Sequence, residues 1–287
     1  MMKKLLFQFD TDQSPSTFDT VVAYDGGADH VIGHGGLNPE NVGALVEGTI
    51  FTRAPKDKKN TAIFIGGSNM ADGQALLRAI QDRFFANFRV SVMLDSNGSN
   101  TTAAAAVAKL ATSRAIAGKI AVVLAGTGPV GQRAAALLAM EGAAQVIITS
   151  RNLAQAERAC SDMKARFGID LVPAAAADVE ARGKLIEGAH IVLATGAAGV
   201  ELLTEAQWRD HPTLELIADT NTTPPLGIGG MDMLDRGTVR HGKIAWGALG
   251  FGSLKLALQR ACIARLFGQN DLILDAEEIF TTAKEMA

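Results

Sequence analysis

Residues 120 to 152, IAVVLAGTGPVGQRAAALLAMEGAAQVIITSRN, leave few options for the fold around them. An apolar strand from Ile120 to Leu124 runs into Gly126-Thr127-Gly128-Pro129-Val130-Gly131. An amphipathic helix follows, and a β-branched strand at 146–149 closes a βαβ unit. In such a unit the first glycine serves the tight turn and the second lets backbone N–H groups approach a pyrophosphate. The third lets the helix lie close to the strand. Pro129 suits the first helical turn, where a missing N–H costs nothing and the helix N-terminus still faces the anion. The segment therefore predicts a dinucleotide site at Gly126, Thr127, Gly128, Pro129, Val130 and Gly131.

The end of the second strand indicates which dinucleotide. An NAD-selective site places Asp or Glu there to accept from the ribose 2′-hydroxyl. This chain has Thr149-Ser150-Arg151-Asn152. A hydroxyl and a guanidinium, with no carboxylate beside them, suit a 2′-phosphate. NADP is the expected cofactor, with NAD tolerated, and Ser150, Arg151 and Asn152 are its expected contacts.

The chain has 287 residues, enough for two α/β lobes, and its 48% hydrophobic content argues against disorder. A net charge of −3 gives no basic excess for a nucleic-acid partner. Cys160 and Cys262 lie far apart within helical patterns, so neither a disulfide framework nor a zinc cluster is expected. His30 and His34 have ligand-like spacing, but Gly33, Gly35 and Gly36 oppose a helix there, and no metal site is expected. The apolar start at Leu5-Leu6-Phe7 is cut short by Gln8 and Asp10, and no run is long enough for a membrane helix, which makes the cytoplasm the default location.

Elsewhere strand and helix patterns alternate. Strands are expected at 5–9, 62–65 and 89–94, and helices near 16–23, 39–46 and 70–84. A long helix should start at Ser99 or Asn100, run through alanines 103–108 and stop at Gly118. Beyond the βαβ unit come a helix at 153–167, a strand at 170–172, a helix at 178–186 and strands at 191–194, 214–218 and 244–246. The glycines 247, 250 and 252 then lead to a helix at 254–267. Because ligands in open α/β sheets bind beyond the C-terminal strand ends, Thr195, Gly196, Ala197, Asp219, Asn221 and Gly247 are expected near the nicotinamide half of the cofactor. The predicted fold is α/β and two-lobed: an N-terminal α/β substrate lobe at 1–117 with C-terminal helices at 254–287 returning to it, and a Rossmann-like doubly wound NADP-binding lobe at 118–253.

The strings KKLLFQFDTD at the start, YDGGADHV at Tyr24 to Val31, LDSNGSNTTAAA at Leu94 to Ala105, VVLAGTGPVG, PPLGIGG at Pro224 to Gly230, DAEEI and AKEMA carry a family resemblance over essentially the whole chain. It resembles the bacterial NAD(P)-dependent methylene-tetrahydromethanopterin dehydrogenases of methylotrophs. That resemblance implies oxidation of a methylene bridge on a reduced pterin, with hydride passing to NADP, in a homo-oligomer. The pterin nitrogens stabilise the resulting cation, so orientation and water exclusion should carry most of the acceleration. A carboxylate near the cation would add to it.

Asp19, Asp95 and Lys255 are the candidate catalytic groups, Lys255 reaching the pterin or an anionic tail of the carrier. Asp10, Asn97, Ser99, Asn100 and Thr101 are the candidate substrate-binding residues. The related bifunctional methylene-tetrahydrofolate dehydrogenase/cyclohydrolases carry Tyr-x-x-x-Lys in the first lobe. Here Ala28 stands four positions after Tyr24, which argues against cyclohydrolase activity. The alternatives are a methylene-tetrahydrofolate dehydrogenase and, outside enzymes, an NADP(H)-sensing regulatory protein.

Overall fold

The computed structural model describes residues 2–287. The chain divides into two compact units, one reaching to Thr101 and including Leu256–Met286, the other Thr102–Lys255 with the last residue. The chain passes between the units twice, each time inside a helix (at Thr101/Thr102 and at Lys255/Leu256) and not at the glycine turn near 118.

The first unit is built on β1 (Leu5–Asp10), α1 (Thr17–Asp25), β2 (His30–His34), α2 (Gly43–Phe51), β3 (Thr61–Gly66), α3 (Met70–Gln81) and β4 (Ser91–Leu94). Every residue of β3 is buried, as expected of a central strand covered on both faces. Phe9, Ile63, Ile65, Val92 and Leu94 of the sheet form a core with Val46 and Ile50 of α2 and Leu76, Leu77 and Ile80 of α3. α4 (Ser99–Ser113) starts at the unit's edge.

The second unit continues with β5 (Ile120–Leu124), α5 (Pro129–Met140), β6 (Gln145–Ser150), α6 (Leu153–Phe167), β7 (Val172–Ala175), α7 (Val179–Leu185), β8 (Ile191–Ala194), α8 (Glu205–Trp208), β9 (Leu216–Asp219), β10 (Arg236–Arg240), β11 (Lys243–Trp246) and the start of α9 (Ala248–Leu266), which belongs to the first unit from Leu256 onward. β12 (Ile273–Leu274) and α10 (Ala276–Met286) fall back within the first unit.

The first sheet has the order β12-β4-β3-β1-β2 and all its pairs are parallel. The second has the order β10-β11-β9-β8-β5-β6-β7, parallel except for the β10–β11 pair. This is the doubly wound α/β plan, and the strand order reverses between β5 and β8. In the first sheet it reverses between β1 and β3. Each reversal opens a crevice beyond the strand ends.

Several elements depart from the sequence expectation. β2 and β10 are edge strands, the first mostly half-exposed and the second carrying arginine at both ends, so neither shows a buried stripe. α2 lies later than 39–46, α4 stops at Ser113, and α9 begins at Ala248, well before 254. Gly250 lies within the helix, and it is glycine because a Cβ there would run into the backbone carbonyl of Asp235, so the first turn of α9 packs where only glycine fits. No helix among the described residues is long and apolar enough to cross a membrane.

Candidate functional site

The turn after β5 assigns its three glycines unequal work. The left-handed residue is Ala125, at φ 52°, and not Gly126 as expected for a tight-turn glycine. Gly126 is required by packing instead: a Cβ there would lie 2.9 Å from both the carbonyl oxygen and a side-chain methyl of Val123. Its N–H donates to the Thr149 carbonyl at 3.0 Å, and the Ala125 N–H donates to the Thr149 hydroxyl at 3.0 Å, so the turn is tied to the end of β6. Gly131 sits where a Cβ would meet Gly126 Cα at 2.5 Å and Thr195 Oγ1 at 2.6 Å. That contact holds α5 against the ends of β5 and β8.

Gly128 differs from both. It is the N-cap of α5, with φ −76°, a value any residue adopts, and a Cβ there would meet nothing within 4 Å. The folded chain gives no reason for glycine, whereas a pyrophosphate lying against the helix N-terminus does. Pro129 and Val130 open the helix, and the Gln132 side chain fixes the turn by donating to the Thr127 carbonyl at 2.6 Å.

Beyond this turn lies a cavity of about 420 Å³, lined by Thr127, Thr149, Ser150, Arg151, Gln155, Ala176, Ala177, Arg182, Gly196, Ala197, Val200 and Leu202 with Ala125. No carboxylate is in its wall, and two guanidinium groups are. The buried Ser150 hydroxyl donates to the Gln155 side-chain oxygen at 3.1 Å and accepts the Asn152 N–H at 3.3 Å. Arg151 is exposed at the rim. Asn152 is used structurally, its side chain accepting from the Ala154 N–H at 2.9 Å as the N-cap of α6. Donors without a carboxylate, an open glycine at a helix N-terminus and mainly small or apolar walls together fit a phosphorylated dinucleotide.

The remaining strand ends divide. The Thr195 hydroxyl donates to the carbonyls of Leu124 and Ala125, and Gly196 and Ala197 belong to the cavity wall. Asp219 is buried, accepting the N–H groups of Asn221 at 2.9 Å and Ile228 at 2.8 Å. Burial pushes its carboxyl above the ordinary 3.8, partly offset by those bonds and one from Gly227. Asn221 in turn accepts the Thr223 N–H at 2.9 Å, so the pair braces the loop at 223–230. Gly247 is clamped between the backbones of Asp232 and Met233, and a packing requirement explains it without a ligand.

In the first unit, Asp10 ends β1 beside the reversal of strand order. It is buried and accepts from the N–H groups of Asp12 at 2.9 Å and Ser16 at 3.2 Å, with its carboxyl pushed upward mainly by burial. Asp19, half-buried on the first turn of α1, accepts from the buried Gln259 side chain at 2.7 Å. Asp95 is fully buried and caps α4, accepting the N–H groups of Asn100 at 2.9 Å and Thr101 at 3.0 Å and the Thr101 hydroxyl at 2.6 Å. Asn97 is left-handed at φ 55°, and Ser99 donates to the Ser96 carbonyl. Asn100 donates to the Leu94 carbonyl and the Asp275 carboxylate, leaving its own buried side-chain oxygen with no partner among the described residues.

Lys255 lies on the third turn of α9 and not in its first, because the helix starts at Ala248. Among the described residues no group of three or more His, Cys, Asp or Glu is placed to hold a metal ion.

Comparison with known proteins matches residues 17–97 to a family model described as methylene-tetrahydromethanopterin dehydrogenase, N-terminal. The chain is 55% identical to Bifunctional protein MdtA of Methylorubrum extorquens, covering all of both chains. It is 32% identical to the NAD(P)-dependent methylenetetrahydromethanopterin dehydrogenase of the same organism, again covering all of both. The chain belongs to the methylene-tetrahydromethanopterin dehydrogenase family. The stretch matched by the family model contains Asp19, Asp95 and Asn97, all within the first unit.

Among solved structures, shikimate 5-dehydrogenase of Listeria monocytogenes superposes with a TM-score of 0.56 at 12% identity, covering 99% of this chain and 96% of that one. The 5-ketofructose reductase of Gluconobacter sp. strain CHM43 gives 0.54 at 16% identity, covering 100% and 99%. At these identities the likeness establishes the fold: two-lobed, with a Rossmann-like sheet. Gln155 and Arg182 are cavity residues that reading the sequence did not find. They sit on helices and no local pattern marks them; only the sheet order brings α6 and α7 to the same crevice.

Proposed function

We propose that this protein oxidises the methylene group of methylene-tetrahydromethanopterin to the methenyl form with NADP, accepts NAD less well, and lacks cyclohydrolase activity. The observation that carries the reading is the end of β6, where Ser150 and Arg151 face a cavity with no carboxylate in its wall, in a chain related over its full length to an NAD(P)-dependent dehydrogenase of that substrate. Bound at this site, NADP supplies the hydride acceptor.

The chain's own residues bind and orient. The N–H groups at the start of α5 and the open side of Gly128 hold the pyrophosphate. Ser150 and Arg151 take the 2′-phosphate, and Thr195 to Ala197 line the way toward the nicotinamide half. On the substrate side, Asp19 is the carboxylate best placed to stabilise positive charge, because Gln259 orients it and it is only half-buried. Asp95 is a positioning residue whose oxygens are engaged by α4, with Ser99, Asn100 and Thr101 fixed around it and Asn97 at the turn. Asp10 holds the loop after β1, and Lys255 is the candidate for the carrier's anionic portion. We take the protein to be a cytoplasmic homo-oligomer with no nucleic-acid partner.

The test follows NADPH or NADH absorbance with purified protein and methylene-tetrahydromethanopterin, and repeats it with methylene-tetrahydrofolate. Higher kcat/KM with NADP than with NAD, and with the methanopterin carrier than with the folate, is the expected result. No turnover with either carrier would overturn the reading. Acceleration of methenyl hydrolysis above the spontaneous rate would remove the statement on cyclohydrolase.

A further inference from the structure

Arg182 is 8% exposed, yet it borders the 420 Å³ cavity. Its Nε donates to the Leu202 carbonyl, and its Nη1 donates to the carbonyls of Ala176 and Ala177, both at 3.4 Å. A guanidinium has five N–H donors, two of them on Nη2. Nη2 has no hydrogen-bond partner among the described residues, and it is absent from the polar atoms sealed away without one. It therefore keeps access to open space, and the open space beside Arg182 is the cavity. Burial is the larger influence and works against the cation, lowering its hold on the proton, and the nearby Asp178 charge partly offsets this.

Two kinds of lining meet in the cavity, joined where the Ala176 N–H donates to the Ser150 carbonyl. Around β6 stand Thr149, Ser150, Arg151 and Gln155, suited to a sugar and its phosphate. Arg182 is bonded to the carbonyls of Ala176, Ala177 and Leu202, apolar residues of the same lining, so the wall beside it has one donor group with two weakly held carbonyls at its edge. The Ala176 and Ala177 carbonyls are only weakly held by Nη1 and each retains a lone pair. The edge thus presents acceptors next to a donor. Adenine carries the complement, an exocyclic amine beside the N1 acceptor.

We infer that Arg182 reads the base of the dinucleotide, its Nη2 donating to adenine N1 while the Ala176 and Ala177 carbonyls accept from the exocyclic amine. The inference rests on the proposed NADP site. Hypoxanthine inverts both groups, placing an N–H against the guanidinium and an oxygen against the carbonyls. A buried polar set left mispaired discriminates strongly.

The experiment titrates wild-type protein by fluorescence with NADPH and with reduced nicotinamide hypoxanthine dinucleotide phosphate. The adenine form should bind tighter by about tenfold or more. R182M should weaken NADPH binding and bring the ratio of the two affinities to about one. R182K, which keeps a donor, should retain part of the preference, and circular dichroism checks that both variants fold. Equal wild-type affinities, or an unchanged ratio in R182M, would overturn the inference and leave the NADP reading standing. Failure of wild type to bind either dinucleotide would overturn both. Equal wild-type affinities would overturn the inference even if neither variant folds.

Discussion

Gly128 and Gly131 occupy neighbouring positions in the same glycine pattern, and the space around them separates a ligand requirement from a packing requirement. A methyl group at Gly131 would press on Gly126 Cα and Thr195 Oγ1. Gly131→Ala should therefore destabilise the fold by about 1–3 kcal/mol, the usual cost of overpacking, read as a lower urea midpoint at unchanged slope. At Gly128 nothing lies within reach of a Cβ. Gly128→Ala should leave the urea midpoint unchanged while raising the NADPH Kd by about tenfold or more, roughly 1.4 kcal/mol. A midpoint loss at Gly128 equal to that at Gly131 would show that the pattern is only structural.

Arg151 makes a different distinction at the same scale. Exposed and at the cavity rim, it should contribute to NADP binding and little to stability. Arg151→Ala should weaken NADPH by about tenfold and NADH by much less, consistent with loss of a charge-assisted contact to a phosphate.

At the scale of elements, the β5-α5-β6 unit was legible because strand pattern, glycine spacing and helix N-cap lie in one contiguous stretch. Edge strands β2 and β10 were not, since HVIGH and RGTVR have no buried face to impose alternation. The start of α9 was misread because Gly250 and Gly252 look like loop residues, and the packing that demands glycine at 250 comes from Asp235, a residue distant along the chain. The polar cluster at 95–101 was visible as a group, but its hydrogen bonds reveal a helix cap. Asp95→Ala removes the acceptor of two helical N–H groups and of a buried hydroxyl. The expected cost is about 2–4 kcal/mol of stability, above that of an ordinary exposed cap, measured by urea unfolding. A loss below about 0.5 kcal/mol would mean that the cluster is not what anchors α4.

Across the whole molecule the same device recurs at strand ends in both units. β1 closes on Asp10 and β9 on Asp219, each buried with one oxygen accepting from the N–H two residues on and the other from an N–H farther along the loop. The aspartates order the loops after their strands, at the cost of placing carboxyl groups away from water. Burial is the largest influence on both and raises both above 3.8. A raised carboxyl binds its proton more tightly in the folded state than in the unfolded one. Its contribution to stability is therefore fully present below the unfolded value and is lost as pH rises through the folded value. Asp219→Asn has no charge to bury at any pH, although with only one accepting side-chain oxygen it loses part of the backbone contacts from Asn221, Ile228 and Gly227. Urea unfolding from pH 7 down toward the ordinary carboxylate range should show wild type gaining stability relative to Asp219→Asn as pH falls, with Asp10→Asn behaving in the same direction. A difference that shrinks toward acid would show that the two carboxylates are stabilised as anions and that the loop N–H groups outweigh the loss of water, and one that stays flat would show that the two influences cancel.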